Sequence, residues 1–484
     1  MPIDAIFARA RRTPEHAALI QNGEAWSYGA FARAIAQARS QLEGAGLRPG
    51  GLAVMAASRP IDAWAGSFAL RSLGFTTTLV ERSKDFLDLD FRNVSGVVVA
   101  DDKPHEAAES VARAARCPVT LLPAARHFGL SQGPVPEAPA PAGNGMAGHV
   151  MLTSGTTGTF KKVLRSPRVD EELVRSLSSL YGMTESSVVY LGNFPVWTAG
   201  GYRWPRAAWS RGGTVVYEDP PWSYRPFGEL ALTHAFATPA TLAVLLEAPE
   251  GAIRHDDALK LIVTAGALPK SLAERARKRI TRKLYGAYAS TEASMVTMTL
   301  VENDEDLHWH RPVDPTAVQV VDEAGRALPV GETGLVRVRV SPGIDGYLDD
   351  EATTREFFRD GWFHPGDLGR LRADGRLCLE GRATDVINLM GAKIATGPAE
   401  RSLQDLLGAE GVCVFTQGEG DAQELHVAIQ SRSPVDRDTL AAFARRELAA
   451  FPRVHFHVLA ELPRNAMGKV RRLDLRRQLL GGPA

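Results

Sequence analysis

The sequence predicts an α/β protein: a large N-terminal domain of parallel-type sheets covered by helices and ending in a β section, then a small α+β C-terminal domain. Three observations predict it. Up to about residue 130, and again over 190–300, short apolar runs alternate with helix-spaced segments, the rhythm that builds parallel sheets. Around 314–380 the pattern changes to short strands and turns, which reads as antiparallel. The remaining residues, roughly the last hundred, mix both kinds of segment.

Each element has its own reason. FARAIAQARSQLEGAG (31–46) carries apolar residues at helical spacing and stops at glycines. GLAVMAA (51–57) and VSGVVVA (94–100) are short buried strands. SQGPVPEAPAPAGNGMA (131–147) is a Pro/Ala/Gly surface loop. GGTVVYED (212–219) and LKLIVTAGA (259–267) are strands, and SLAERARKRI (271–280) is a helix. AVQVVDEAGRALPVGETGLVRVRV (317–340) supplies the antiparallel section, and AERSLQDLLG, ELHVAIQS and RDTLAAFARRELAAF supply the small C-terminal unit.

Composition bounds the function. The chain has 484 residues, a length that suggests about two to four domains. Lys plus Arg and Asp plus Glu are 56 each, so net charge gives no sign of nucleic acid or a membrane surface. No apolar run approaches the ~18 residues of a membrane span. The three cysteines, Cys117, Cys378 and Cys413, lie far apart without metal-ligand spacing, and the expectation is a reduced, cytoplasmic setting.

One stretch demands a chemical reading. MLTSGTTGTFKKV (151–163) packs small hydrogen-bonding residues ahead of two lysines. Gly155 and Gly158 let the backbone turn closely, Thr153, Ser154, Thr156 and Thr157 offer hydroxyls, and Lys161 or Lys162 offers charge. Such a set makes a cradle for phosphate oxygens. It is not the mononucleotide P-loop, because the glycines are three apart and Lys161 precedes another lysine. It is not a serine-hydrolase elbow either, since Ser154 lacks a glycine two residues earlier.

Four later segments join it in order: YGAYASTEAS (285–294), DGWFHPGDLG (360–369), with its aspartate in a tight Gly-flanked turn, GRATDVINLMGAKI (381–394) and LPRNAMGKVRR (462–472). Together, over nearly the whole chain, they resemble the adenylate-forming superfamily of acyl-CoA synthetases, aryl-CoA ligases, nonribosomal peptide adenylation domains and luciferases. The resemblance implies attack of a carboxylate on the α-phosphorus of ATP, with pyrophosphate leaving, and a site that neutralises and aligns two anions. It implies that Thr153, Ser154, Gly155, Thr156, Thr157, Gly158 and Lys161 hold the β- and γ-phosphates. Glu292 would bind Mg²⁺, Thr291 would bond the α-phosphate and Tyr288 would stack on adenine. Asp367 and Arg382 would reach the ribose, and Lys469 would offset charge between carboxylate and α-phosphate.

The same resemblance implies a division into residues 1–380, a hinge at 381–384 with Thr384 at the pivot, and a small mobile domain over 385–484. The acyl pocket would lie among Trp197, Thr198, Gly200, Thr264, Ala265, Gly266, Ala267, Ala289, Ser290 and Met295. Trp197 and Ala289 would narrow it toward a compact acid, aromatic or short-chain, and no aspartate stands among these positions to hold a substrate ammonium. Arg203 and Arg206 are expected at the surface, the alternative being contact with a second carboxylate, and His308 and His310 as surface or packing residues. The acceptor would be coenzyme A or a carrier-protein phosphopantetheine, with Gly391 beside the thiol tunnel. A non-catalytic ATP or AMP sensor is the rival from another class. Departures from the common pattern include Phe160, Lys162, Thr198, Ala289, Pro365, Thr384 and Asn388. None falls on Glu292, Asp367, Arg382 or Lys469.

Overall fold

In the computed structural model the chain is mixed α/β, as the sequence predicts. The structure describes all residues except 1, 46, 48–49, 82–88, 102–104, 124–132, 141–146, 155–159, 193, 219–222, 340–342, 345, 390–391, 418–423, 432–433, 450, 452, 465–469 and 482–484. Contacts divide it into two units, one of Met1–Ala235, Ser290–Ser294 and Pro342–Glu356, the other of Phe236–Ala289, Met295–Ser341 and Phe357–Ala484. The expected boundary near residue 380 concerns motion between catalytic steps and is taken up as a proposal below.

The first unit holds a six-stranded sheet in the order Val119–Leu121, Val94–Val99, Leu52–Ala56, Thr76–Val80, His149–Ser154, Phe160–Arg165. Neighbours are parallel until the last pair, which is antiparallel. The central strand Leu52–Ala56 is buried at every position, as a strand covered on both faces must be. A second sheet of this unit runs Val188–Tyr190, Thr214–Tyr217, Ala17–Gln21, Glu24–Ser27. Helix Tyr28–Glu43 starts where Ser27 caps the backbone N–H of Ala30, and it buries Phe31, Ile35 and Leu42. Helix Pro167–Tyr181 has proline in its first turn and ends on Gly182 at φ 65°, the left-handed turn glycine supplies without strain.

In the second unit strands Lys260–Val263 and Leu284–Ser290 are parallel, with Leu261 opposite Leu284. The antiparallel section falls where the sequence changes pattern: Ala317–Val321 pairs with Gly334–Arg339, and Asp367–Leu371 pairs with Leu377–Arg382. The C-terminal part has a three-stranded sheet of Gly411–Gln417, Glu424–Gln430 and Val454–Leu459. It packs its own core of Leu403, Val414, Leu425, Val427, Ile429 and Phe443. Two expectations need correcting. Asp367 is buried and opens a strand rather than sitting in a turn; Gly366 before it has φ 77°. Arg203 and Arg206 are 4% and 1% exposed rather than at the surface, for reasons that belong to the site.

Candidate active site

Strands His149–Ser154 and Phe160–Arg165 form an antiparallel hairpin in which Thr153 lies opposite Lys161 and Ser154 opposite Phe160. Thr153 therefore lies near the end of the outgoing strand, and Lys161 lies in the returning one. Gly155, Thr156, Thr157 and Gly158, and the side chain of Ser154, lie outside the described residues. The Lys161 ammonium stands over the Tyr347 ring, 5.1 Å from its centroid. The Tyr347 hydroxyl donates to Glu292 Oε1 at 2.8 Å. Lys161, Tyr347 and Glu292 are thus linked in series, although they come from three separate stretches of chain. Burial, reinforced by the Glu292 carboxylate, pushes the Tyr347 phenol up, so it stays a donor to Glu292 through neutral pH.

Glu292 fits a hard cation. It is a half-buried carboxylate engaged through Oε1, and Oε2 takes no hydrogen bond from a described residue. Its segment is held from behind. Arg165 Nη2 donates to the carbonyls of Thr291 at 2.5 Å and Glu292 at 3.1 Å. Arg203 Nη2 donates to those of Ser290 and Thr291, both at 3.4 Å. Ser290 Oγ accepts from the backbone N–H of Ala293 at 2.9 Å, closing the turn. These contacts explain why Arg203 is buried. Arg206 is buried for another reason, its ion pair with Asp170, which Arg71 shares at 3.1 Å.

Three more expected pocket residues of this unit are placed. The Trp197 indole meets the Phe160 ring edge-on at 5.7 Å. Thr198 caps helix Ala199–Ser210, its Oγ1 accepting from the Gly201 N–H at 3.1 Å and donating to the Pro195 carbonyl at 2.7 Å. Gly200 leaves room for the rings of Trp204 and Phe194, which a Cβ there would meet at 2.7 and 3.0 Å. Glu81, which the sequence reading passed over, neighbours the Trp197 indole; burial pushes its carboxyl up and the indole offsets this in part.

In the second unit one carboxylate gathers a separate group. Asp367 accepts from the Tyr288 hydroxyl on Oδ2 and pairs with Arg382 Nε on Oδ1 at 3.0 Å. Arg382 also donates to the Pro365 carbonyl at 2.6 Å, which fixes its guanidinium. Asp367 and Arg382 are direct partners in the strand register. Thr264 ends a strand, its N–H bonded to the Ala237 carbonyl at 3.0 Å, and Ala265 follows at φ 68°. Gly266 and Ala267 are exposed, Ala289 is half-buried and Met295 is 6% exposed. Thr384 is exposed on a short 3₁₀ turn, its hydroxyl 3.4 Å from Asp385. Gly391 and Lys469 lie outside the described residues. His310 is half-buried against Gly286, which bears out a packing role.

Parallel sheets, an antiparallel section and a Thr-Glu turn joined through Tyr347 to Lys161 fit the adenylate-forming class of enzymes. More particularly, the chain belongs to the AMP-binding enzyme family, which matches residues 6–348. It is 28% identical over 495 residues to 4-coumarate–CoA ligase-like 9 of Oryza sativa subsp. japonica, covering 95% of this chain and 88% of that protein. In fold it is similar to the amide bond synthetase McbA from Marinactinospora thermotolerans, with TM-score 0.84, 21% identity, and 98% of this chain and 99% of that one covered. It is likewise similar to the O-succinylbenzoate coenzyme A synthetase of Bacillus subtilis, solved with ATP and magnesium ion, with TM-score 0.81, 21% identity and coverage of 98% and 99%. Among the described residues no helix is long and apolar enough to cross a membrane.

Proposed function

We propose that this protein is an AMP-forming acid–thiol ligase: it activates a compact carboxylic acid, aromatic or short-chain, as its acyl-adenylate and passes the acyl group to the thiol of coenzyme A. The observation that supports the reading is the series Lys161–Tyr347–Glu292, in which one tyrosine joins a lysine of the Gly/Thr hairpin to an anchored carboxylate. On this reading the loop residues Thr153 to Gly158 and Lys161 take the β- and γ-phosphates, and Thr291 takes the α-phosphate. Magnesium bound at Glu292 supplies charge neutralisation on the departing pyrophosphate. Tyr288, Asp367 and Arg382 receive the nucleoside, and Lys469 approaches during adenylation. The pocket residues Trp197 and Ala289 favour a compact acid, and the relative from Oryza is named for an aromatic acid.

The test is pyrophosphate release from ATP and Mg²⁺ over a panel of carboxylic acids, read with coenzyme A present and absent. Release is expected only with a suitable acid, faster with coenzyme A, and with AMP as the other product. A carrier-protein phosphopantetheine arm in place of coenzyme A distinguishes the two thiol acceptors. Acid-dependent turnover to ADP and phosphate would remove the ligase reading. ATP binding without turnover on any acid would leave the nucleotide-sensor reading in its place.

A further inference from the structure

Arg165 and Arg203 are a puzzle in electrostatics. Both are buried, at 0% and 4% exposure, in a part of the fold where an apolar side chain would pack at lower cost. Removing one guanidinium from water costs several kcal/mol, and two close together also repel. Consistent with this, burial with Arg203 beside it pushes the Arg165 guanidinium down to about 9, and burial pushes Arg203 down to about 10. Both remain charged at neutral pH. Hydrogen bonding satisfies them only in part: Arg165 Nε and Nη1 and Arg203 Nη1 are buried without a partner. The Asp170 charge favours the charged form of both, but the ion pairs of its Oδ2 go to Arg71 and Arg206 instead.

What the two arginines do reach is narrow in sequence. Their Nη2 atoms converge on three successive carbonyls, those of Ser290, Thr291 and Glu292. They arrive from different elements, Arg165 from the end of the phosphate-loop hairpin and Arg203 from helix Ala199–Ser210. Glu292 is the one carboxylate of this turn, and after Asp170 its charge also favours the charged form of both. We propose that Arg165 and Arg203 are positioning residues that fix the Ser290–Glu292 backbone, so that the Glu292 carboxylate is presented to Mg²⁺·ATP in one orientation. The proposal rests on the assignment of Glu292 as the magnesium ligand. It gives two costly buried charges a return that neutral packing would not provide: a rigid turn with positive potential behind its acid.

The experiment measures nucleotide binding by calorimetry, with Mg²⁺·ATP in one arm and ATP with EDTA in the other, together with hydrogen exchange over residues 290–294. Arg165→Met and Arg203→Met are each expected to weaken Mg²⁺·ATP binding about tenfold, the scale of a charge-assisted hydrogen bond, and to leave the EDTA arm within about twofold. Exchange over 290–294 should quicken. Arg165→Lys and Arg203→Lys keep the charge but lose the fork that reaches two carbonyls, so intermediate losses are expected. They also serve where a methionine variant does not fold. Equal losses in both arms would mark a merely structural role and overturn the proposal, as would no loss in either. Glu292→Gln is run in parallel. If it abolishes the magnesium gain while the arginine variants keep it, the proposal alone fails. If Glu292→Gln keeps the gain, the assignment of Glu292 fails and the proposal falls with it.

Discussion

At Asp367 one carboxylate is shared between the hydroxyl of Tyr288 and the guanidinium of Arg382, three groups that sequence resemblance directs at the nucleoside. A charged acceptor is worth about 1.5–3 kcal/mol more paired than broken, so Asp367→Asn should weaken AMP and ATP binding by about ten- to a hundredfold with the fold intact. Unchanged affinity by calorimetry would reduce Asp367 to an anchor for Arg382. His310 makes a different prediction, about pH. Burial, with the His308 ring adding to it, pushes its pKa from 6.5 down to about 4. Between those values the unfolded chain holds a proton that the folded chain excludes, so protonation favours unfolding. Stability from this group is complete above about pH 6.5 and is lost as pH falls toward about 4. His310→Gln should flatten that part of the curve of urea midpoint against pH; an unchanged slope would assign the titration to another group.

Helix Ala199–Ser210 shows what a sequence reveals of an element and what it hides. Its N-terminus was legible in kind, since threonine is a good cap, yet comparison with the family pattern marked Thr198 only as a missing histidine. A surface position is the ordinary expectation for its arginines, because charged side chains are seldom fully buried unless paired. This helix instead buries nearly its whole circumference, and the partners that reverse the reading lie far away in sequence: Asp170 for Arg206, and the Ser290 and Thr291 carbonyls for Arg203. Tyr347 escaped for the same reason, because nothing near it in sequence points to Glu292. Strands and helices, by contrast, follow local period, so Leu52–Ala56 and Val94–Val99 fall inside the segments that predicted them, and helix Lys270–Arg279 starts and ends one residue before its predicted bounds. The Asp170 cluster carries its own expectation. Burial pulls that carboxyl's pKa up, but Arg206 and Arg71 outweigh it and hold it well below the usual range. Asp170→Ala strands two buried guanidiniums and should destabilise the protein by about 3–5 kcal/mol in chemical denaturation. A loss below about 1 kcal/mol, the scale of an exposed pair, would show that water reaches the cluster.

For the whole molecule the open matter is how one chain serves two half-reactions. The proposed function needs the lysine of PRNAMGK, Lys469, near the α-phosphate while the carboxylate attacks, and the segment around Gly391 beside the thiol while the acyl group is transferred. Both belong to the residues after 380, which are proposed to act as one body and include a core around Leu403, Leu425 and Phe443. Thr384, exposed on its short turn, is the proposed pivot. Alternation makes the two steps separable by mutation, whereas a fixed arrangement does not. Lys469→Ala should slow adenylate formation by about 10²-fold, the scale of losing one well-placed electrostatic contact, and leave thioester formation from supplied acyl-adenylate nearly unchanged. Gly391→Leu should do the reverse, sparing pyrophosphate release and blocking the thiol step. Single-turnover measurements of both half-reactions on both variants, with an acid chosen from the panel, decide the matter. If Lys469→Ala depresses the two steps equally, that lysine supports folding rather than the first step, and alternation of the C-terminal body has to be abandoned for this chain.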